Sequence, residues 1–185
     1  MPTSQKEAPA PSKESSSPNQ PTLDKSRIFE YSQLDDSHIA LIFKLWIDLK
    51  ASGDLGKVFY PENTTAYGLL TLFARPARTF FCLDEKGIWM IMWFTPWFSG
   101  SFVGLWIRDD MRRTKTAYEN LMTLHRGAFE LVPVLLSVTK LPEILEMHVK
   151  LGYDISTAIP HLFEGRPGWL THLTKEKFLK LRGEK

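Results

Sequence analysis

The sequence predicts an α+β fold, a three-layer sandwich in which a mixed, mostly antiparallel sheet of six to seven strands carries helices on both faces. Three observations lead to it. Residues 78–107 read as three apolar strands joined by short turns, two amphipathic helices precede them, and a helix, a strand, a helix and a closing strand pair follow. Hydrophobic residues at 43% and charged residues at 24% are ordinary values for a packed globular chain.

Arg27 to Tyr31 alternates and predicts a short first strand. Asp35 or Asp36 then caps a helix whose apolar residues Ile39, Ile42, Phe43, Trp46 and Leu49 recur at helical spacing, with Ser52-Gly53 ending it. A second helix is expected from Asn63 or Thr64 through Leu69, Leu70 and Phe73, stopping before Pro76. The period then changes. Arg78 to Leu83 reads as a strand, and Asp84-Glu85-Lys86-Gly87 as a tight turn. Ile88 to Phe98 is nearly all apolar, which predicts a strand buried on both faces, with a bulge or strand end at Pro96. Ser99-Gly100 turns the chain into Phe102 to Ile107.

Thr114 or Thr116 opens the next helix, which carries Tyr118, Leu121, Met122 and Leu124 and ends near Glu130. Val132 to Val138 is a strand. Pro142 suits the first turn of the following helix, where its missing N–H costs nothing, and Gly152 closes that helix. Tyr153 to Ile159 and Trp169 to Leu173 are the last strands, with Pro160, Gly165, Pro167 and Gly168 in the loop between them; Thr174 caps a short basic helix.

The domain expected over residues 27–185 follows a different kind of segment. Residues 1–26 hold five of the twelve prolines, the run Ser15-Ser16-Ser17, and only Met1, Ala8, Ala10 and Leu23 as hydrophobic residues. Too little apolar surface is present to offset an ordering entropy of roughly 1–2 kcal/mol per residue, so this segment is expected to be a flexible arm. The net charge is +2, far below the basic excess of nucleic-acid-binding domains, so no nucleic-acid partner is expected. The densest basic cluster, Arg108, Arg112, Arg113 and Lys115, suits one small anionic ligand. A lone cysteine, Cys82, leaves no internal disulfide or multi-cysteine zinc site. No run is long and apolar enough to span a bilayer and no secretory signal is read, so the expected location is cytoplasmic.

The element order and the segment Leu141-Pro142-Glu143-Ile144-Leu145-Glu146-Met147-His148-Val149-Lys150-Leu151-Gly152-Tyr153 resemble the GNAT-type N-acetyltransferases, whose corresponding helix ends in Tyr-Glu-Lys-Leu-Gly-Phe. The resemblance covers roughly Arg27 to Phe178. Ile159 to Phe163 and Trp169 to Thr174 are also similar to the ends of small members, some carried by bacteriophages. The resemblance implies acetyl-CoA as the acyl donor and an amine on a small molecule or a protein as the acceptor. It implies that the strands Phe102 to Ile107 and Val132 to Val138 splay apart into a cofactor cleft, with the backbone of Leu105, Trp106 and Ile107 along the pantetheine arm. The family's pyrophosphate loop reads Arg/Gln-x-x-Gly-x-Gly/Ala; here it is Arg112-Arg113-Thr114-Lys115-Thr116-Ala117. Lys115 stands at the first glycine position, where it either supplies charge in place of close approach or fills the phosphate's space with its stem. The position of the family's tyrosine acid holds His148, so His148 is the implied general acid. Leu141 replaces the family's asparagine, and the third strand carries no glutamate base; Asp109 and Asp110 lie beyond it, where they suit a helix cap.

Trp89, Trp93 and Trp97 recur every four residues of one strand and are expected on one face, as core or, for Trp93 and Trp97, as the wall of a substrate groove. His125, His161 and His172 have no metal-ligand spacing, so no metal is expected. Two other classes of function fit the same residues. One is an inactive module of this fold serving other protein subunits, such as a phage virion or head-assembly component. The other is an interfacial membrane binder using Trp93, Phe94, Trp97 and Phe98.

Overall fold

The computed structural model describes residues 27–55, 65–74, 78–163 and 166–183. The expected arm over residues 1–26, and the helix start at Asn63 or Thr64, lie outside the described residues. β1 (Arg27–Glu30) runs into a 3-10 turn at Tyr31–Gln33, so Tyr31 leaves the strand. α1 (Asp36–Ser52) starts at Asp35, whose carboxylate accepts from the Ser37 and His38 amides at 3.0 and 3.1 Å. Gly53 ends it in the left-handed region, as a glycine is suited to do. α2 (Ala66–Ala74) begins after Thr65, whose hydroxyl accepts the Gly68 amide.

The expected meander follows as β2 (Arg78–Asp84), β3 (Gly87–Trp97) and β4 (Gly100–Ile107), each antiparallel to the last. Then come α3 (Lys115–Phe129), β5 (Val134–Thr139), α4 (Pro142–Leu151), β6 (Asp154–Phe163), β7 (Arg166–Thr174) and α5 (Lys175–Leu181). The seven strands make one sheet in the order β1-β2-β3-β4-β5-β7-β6. All neighbours are antiparallel except β4 and β5, which run parallel.

The sheet separates two cores. On one face Phe81, Ile91 and Trp106 pack with Ile42, Leu45 and Leu49 of α1 and Leu69 and Phe73 of α2. On the other, Met90, Met92, Val103 and Leu135 pack with Leu121, Leu124 and Phe129 of α3 and Phe178 of α5. Burial on both faces explains the near-continuous apolar run in β3.

Four local expectations are corrected. Trp89 does not share a face with Trp93: a bulge opposite Cys82 and Leu83 removes it from the pairing, so it joins the α3-side core while Trp93 packs on the α1–α2 side. Pro96 neither bulges nor ends β3, because it pairs with Ser101 one residue from the end of the ladder. Phe98 lies beyond β3 at φ 49° and is 95% exposed at the β3–β4 turn. Pro160 belongs to β6, and Pro167 and Gly168 to β7, so the last two strands are longer than expected. β6 is the sheet edge, where a proline's missing donor faces no neighbour.

Candidate functional site: a splayed pair of parallel strands

β4 and β5 pair only at Ser101–Leu135 and Phe102–Leu136. At the next register position a side chain replaces the backbone ladder: the buried Ser137 hydroxyl donates to the Val103 carbonyl at 3.1 Å. Beyond it no further ladder pair joins the two strands. Strand backbone repeats every two residues, so with the Val103 carbonyl aimed at β5, Leu105 and Ile107 present their N–H and C=O groups on that same edge. Trp106 presents its backbone to β3, opposite Ile91. Past the last pair, β4 therefore presents a polar backbone edge on the side of β5.

The loop that follows β4 leads into α3. Thr114 caps the helix, its hydroxyl accepting the Ala117 amide at 3.1 Å, and its carbonyl accepts the Tyr118 amide. Among the described residues no group accepts from the Lys115 or Thr116 amides, the first-turn donors at the positive end of a 15-residue helix. Arg113 is the left-handed residue of the loop, at φ 68°. Lys115 has no such backbone, and its exposed side chain runs along the helix toward Glu119 at 3.5 Å.

The basic cluster is largely neutralised within the fold, a correction to its expected availability. Arg108 bonds Asp84 and Asp110, and Arg112 pairs with Asp109 at 2.9 Å while its Nε donates to the Ile107 carbonyl at 3.0 Å. Asp109 and Asp110 serve these ion pairs in a 3-10 turn rather than capping α3. On α4 the Lys150 ammonium, bonded to Glu146 at 2.7 Å, holds that carboxyl below its usual value, with Arg113 adding a smaller pull in the same direction.

His148 sits in the last turn of α4, 5% exposed, with Nδ1 3.2 Å from the hydroxyl of fully buried Thr171 on β7. Thr171 Oγ1 also lies 3.2 Å from the Ser137 carbonyl. The His148 ring stacks on Tyr153 at 5.0 Å between centroids, and the Tyr153 hydroxyl meets His125 Nε2 at 2.8 Å. His125 Nδ1 donates to the Leu121 carbonyl at 2.7 Å. Burial pushes both histidines down to about 4, His148 further lowered by His125 and His125 by Arg182, and burial raises the Tyr153 phenol well above its usual value. Both imidazoles are therefore neutral near pH 7. Thr171, Ser137, Tyr153 and His125 form a buried polar line that sequence reasoning did not single out. Tyr153 was visible only at the family's Leu-Gly-aromatic position, and His125 only as a histidine without metal-ligand spacing.

The other candidates are dispersed. Trp93 lies across Gly104 on the α1–α2 side of β4, whereas Trp97 is half exposed at the hairpin end against Phe102. Cys82 is fully buried, its thiol pushed up to about 12 by desolvation. No metal-ligating cluster occurs among the described residues, and no described helix is long and apolar enough to cross a membrane.

No protein-family model matches the chain, and no curated protein sequence does. Solved structures do match. Ribosomal-protein-S5-alanine acetyltransferase from Vibrio fischeri aligns with a TM-score of 0.67 at 9% identity, covering 84% of this chain and 96% of that one. Spermidine N-acetyltransferase from Vibrio cholerae, in complex with CoA and spermine, gives 0.66 at 9% identity, covering 84% and 98%. A GCN5-related N-acetyltransferase from Kribbella flavida gives 0.62 at 12% identity, covering 82% and 98%. The chain has the fold of the GNAT-type N-acetyltransferases.

Proposed function

We propose that this chain is an acetyl-CoA-dependent N-acetyltransferase that transfers an acetyl group to an amine on a small molecule or a protein. The observation that carries the reading is the two-pair ladder between β4 and β5, which opens into a gap walled by the backbone of Leu105 and Ile107. The Leu105 groups and the Ile107 N–H would pair with the pantetheine arm, the Ile107 carbonyl already accepting from Arg112 Nε; Trp106, its backbone toward β3 and its ring in the α1–α2 core, would only back that wall. The Lys115 and Thr116 amides would take the pyrophosphate at the α3 N-terminus, with Arg112, Arg113 and Thr114 beside it and Ala117 keeping the turn small. Two first-turn amides without an acceptor among the described residues, and a Lys115 ammonium placed toward Glu119, support the fit of an anionic group here. Acetyl-CoA supplies an activated thioester. His148, at the family's tyrosine position, would protonate the departing sulfur, and Trp93 and Trp97 would stand on the acceptor side. The spermine complex of the Vibrio cholerae protein supports an amine as acceptor.

Titration with acetyl-CoA by calorimetry tests the reading. Saturable binding is expected; no heat and no thermal shift at millimolar ligand would refute it and leave the inactive module standing. In a binding-competent protein His148→Phe is expected to lower turnover about a hundredfold or more, the usual range for losing a positioned proton donor, with affinity within twofold. Unchanged turnover would remove His148 from the chemistry.

A further inference from the structure

We infer that Thr171 is a positioning residue that holds His148 in a single tautomer, proton on Nδ1 and lone pair on Nε2, so that Nε2 is the nitrogen that exchanges protons in the gap. The inference rests on the acetyl-transfer reading for its functional consequence and on hydrogen-bond accounting for its geometry.

Thr171 is fully buried, and its hydroxyl has one proton to give and two neighbours at 3.2 Å, the Ser137 carbonyl and His148 Nδ1. A carbonyl oxygen only accepts. The contact with Ser137 therefore claims the threonine proton. The contact with His148 is then a hydrogen bond only if Nδ1 carries a proton and donates it to Thr171 Oγ1. The reverse arrangement, with the threonine donating to Nδ1, leaves two buried oxygens facing each other without a proton between them. The second histidine obeys the same accounting: His125 Nδ1 gives its proton to the Leu121 carbonyl, so Nε2 accepts from Tyr153. The phenol proton is thereby committed away from His148, whose ring Tyr153 supports by stacking alone. No described residue bonds His148 Nε2. The same line continues to the point where the strands part, because Ser137, whose carbonyl takes the threonine proton, also bonds Val103.

The consequence is a defined proton path. As the C–N bond forms and the C–S bond breaks, the proton lost by the amine is taken up at Nε2 and passed to the sulfur, while Nδ1 keeps its own proton on Thr171. A flipped tautomer would present an N–H where a lone pair is needed and block the first half of that path.

The tautomer is read directly from the 15N shifts and long-range couplings of the His148 ring in the unliganded full chain at pH 7.5. The expected result is a protonated Nδ1 and an unprotonated Nε2; the opposite pattern, or an even mixture, overturns the inference. In Thr171→Val the ring is expected to shift to a mixture or to Nε2–H. The turnover number should fall at least tenfold, with KM for acetyl-CoA changed less than twofold. Thr171→Ser should restore both the tautomer and turnover to within about threefold. Turnover lost equally in Val and Ser, or retained in Val, overturns it. Should Thr171→Val fail to fold, Thr171→Ser and the wild-type spectrum still decide. A wild-type chain without transferase activity would refute the acetyl-transfer reading alone, since the tautomer is measured independently of catalysis.

Discussion

Between pH 6.5 and pH 4 the protein is expected to lose on the order of 3 kcal/mol of stability for each of two buried histidines, His125 and His148. Their folded pKa values are depressed to about 4, below the 6.5 of an unfolded chain. Above pH 6.5 both rings are neutral in both states and the full stability is present. As the pH falls below 6.5 the unfolded chain takes up protons that the native fold refuses, and stability declines. The decline levels off near pH 4, where the native rings also titrate. Carboxylates act in a separate window: Asp110, held at about 2 by Arg108 and Lys86, contributes stability that is lost only at lower pH. Beyond desolvation, Arg182 opposes the charging of His125 and His125 that of His148, while Tyr153 remains neutral throughout. Urea midpoints measured at half-unit steps would show the slope. His125→Gln, which keeps a side chain able to hydrogen-bond but cannot titrate, is expected to remove about half of it. A flat profile between pH 6.5 and 4.5 would show that the rings are not buried as neutral species.

The second large effect is expected from Gly104→Ala. A Cβ built on Gly104 falls 1.9 Å from Trp93 Cε2 and 2.1 Å from Cζ2, inside the indole itself. The glycine is therefore a seat for the tryptophan, with Phe73 at 6.4 Å limiting where the ring can go. Overpacking of this kind costs about 1–3 kcal/mol, and a domain of this size loses roughly 2–4 °C of melting temperature per kcal/mol. A loss of several degrees is expected from the substitution. Trp93→Phe in the same background should recover part of it, because a smaller ring clears the new methyl. A variant as stable as wild type, with unchanged tryptophan fluorescence, would refute the seat. Trp93 stands on the side of β4 proposed for the acceptor, so the same variant is expected to alter acceptor KM more than acetyl-CoA KM.

Why the fold was legible and the site only partly so is clear from particular residues. The meander could be read because its signals are local: an apolar run, an Asp84-Glu85-Lys86-Gly87 turn, and Ser99-Gly100. The ends of α1, α3, α4 and α5 could be read because Asp35, Thr114, Pro142, Gly152 and Thr174 act on amides or dihedrals within their own neighbourhood. The face of Trp89 could not, because a bulge opposite Cys82 breaks the period of two that assigned it. The basic cluster looked available, although Asp84 sits 24 residues before Arg108 and neutralises it only after the sheet has formed.

The resemblance segment placed His148 at a position of interest, and the solved structures bear out the fold it implied. Sequence alone determined which elements form, where most of them start and stop, and that a helix N-terminus follows β4. Those properties depend on neighbours a few residues apart. Tertiary structure alone decided that β4 and β5 part after two pairs and that His148 meets Thr171. These depend on groups brought together from 23 to 34 residues away. The donors and acceptors that fix a proton's position are chosen by packing, not by spacing along the chain.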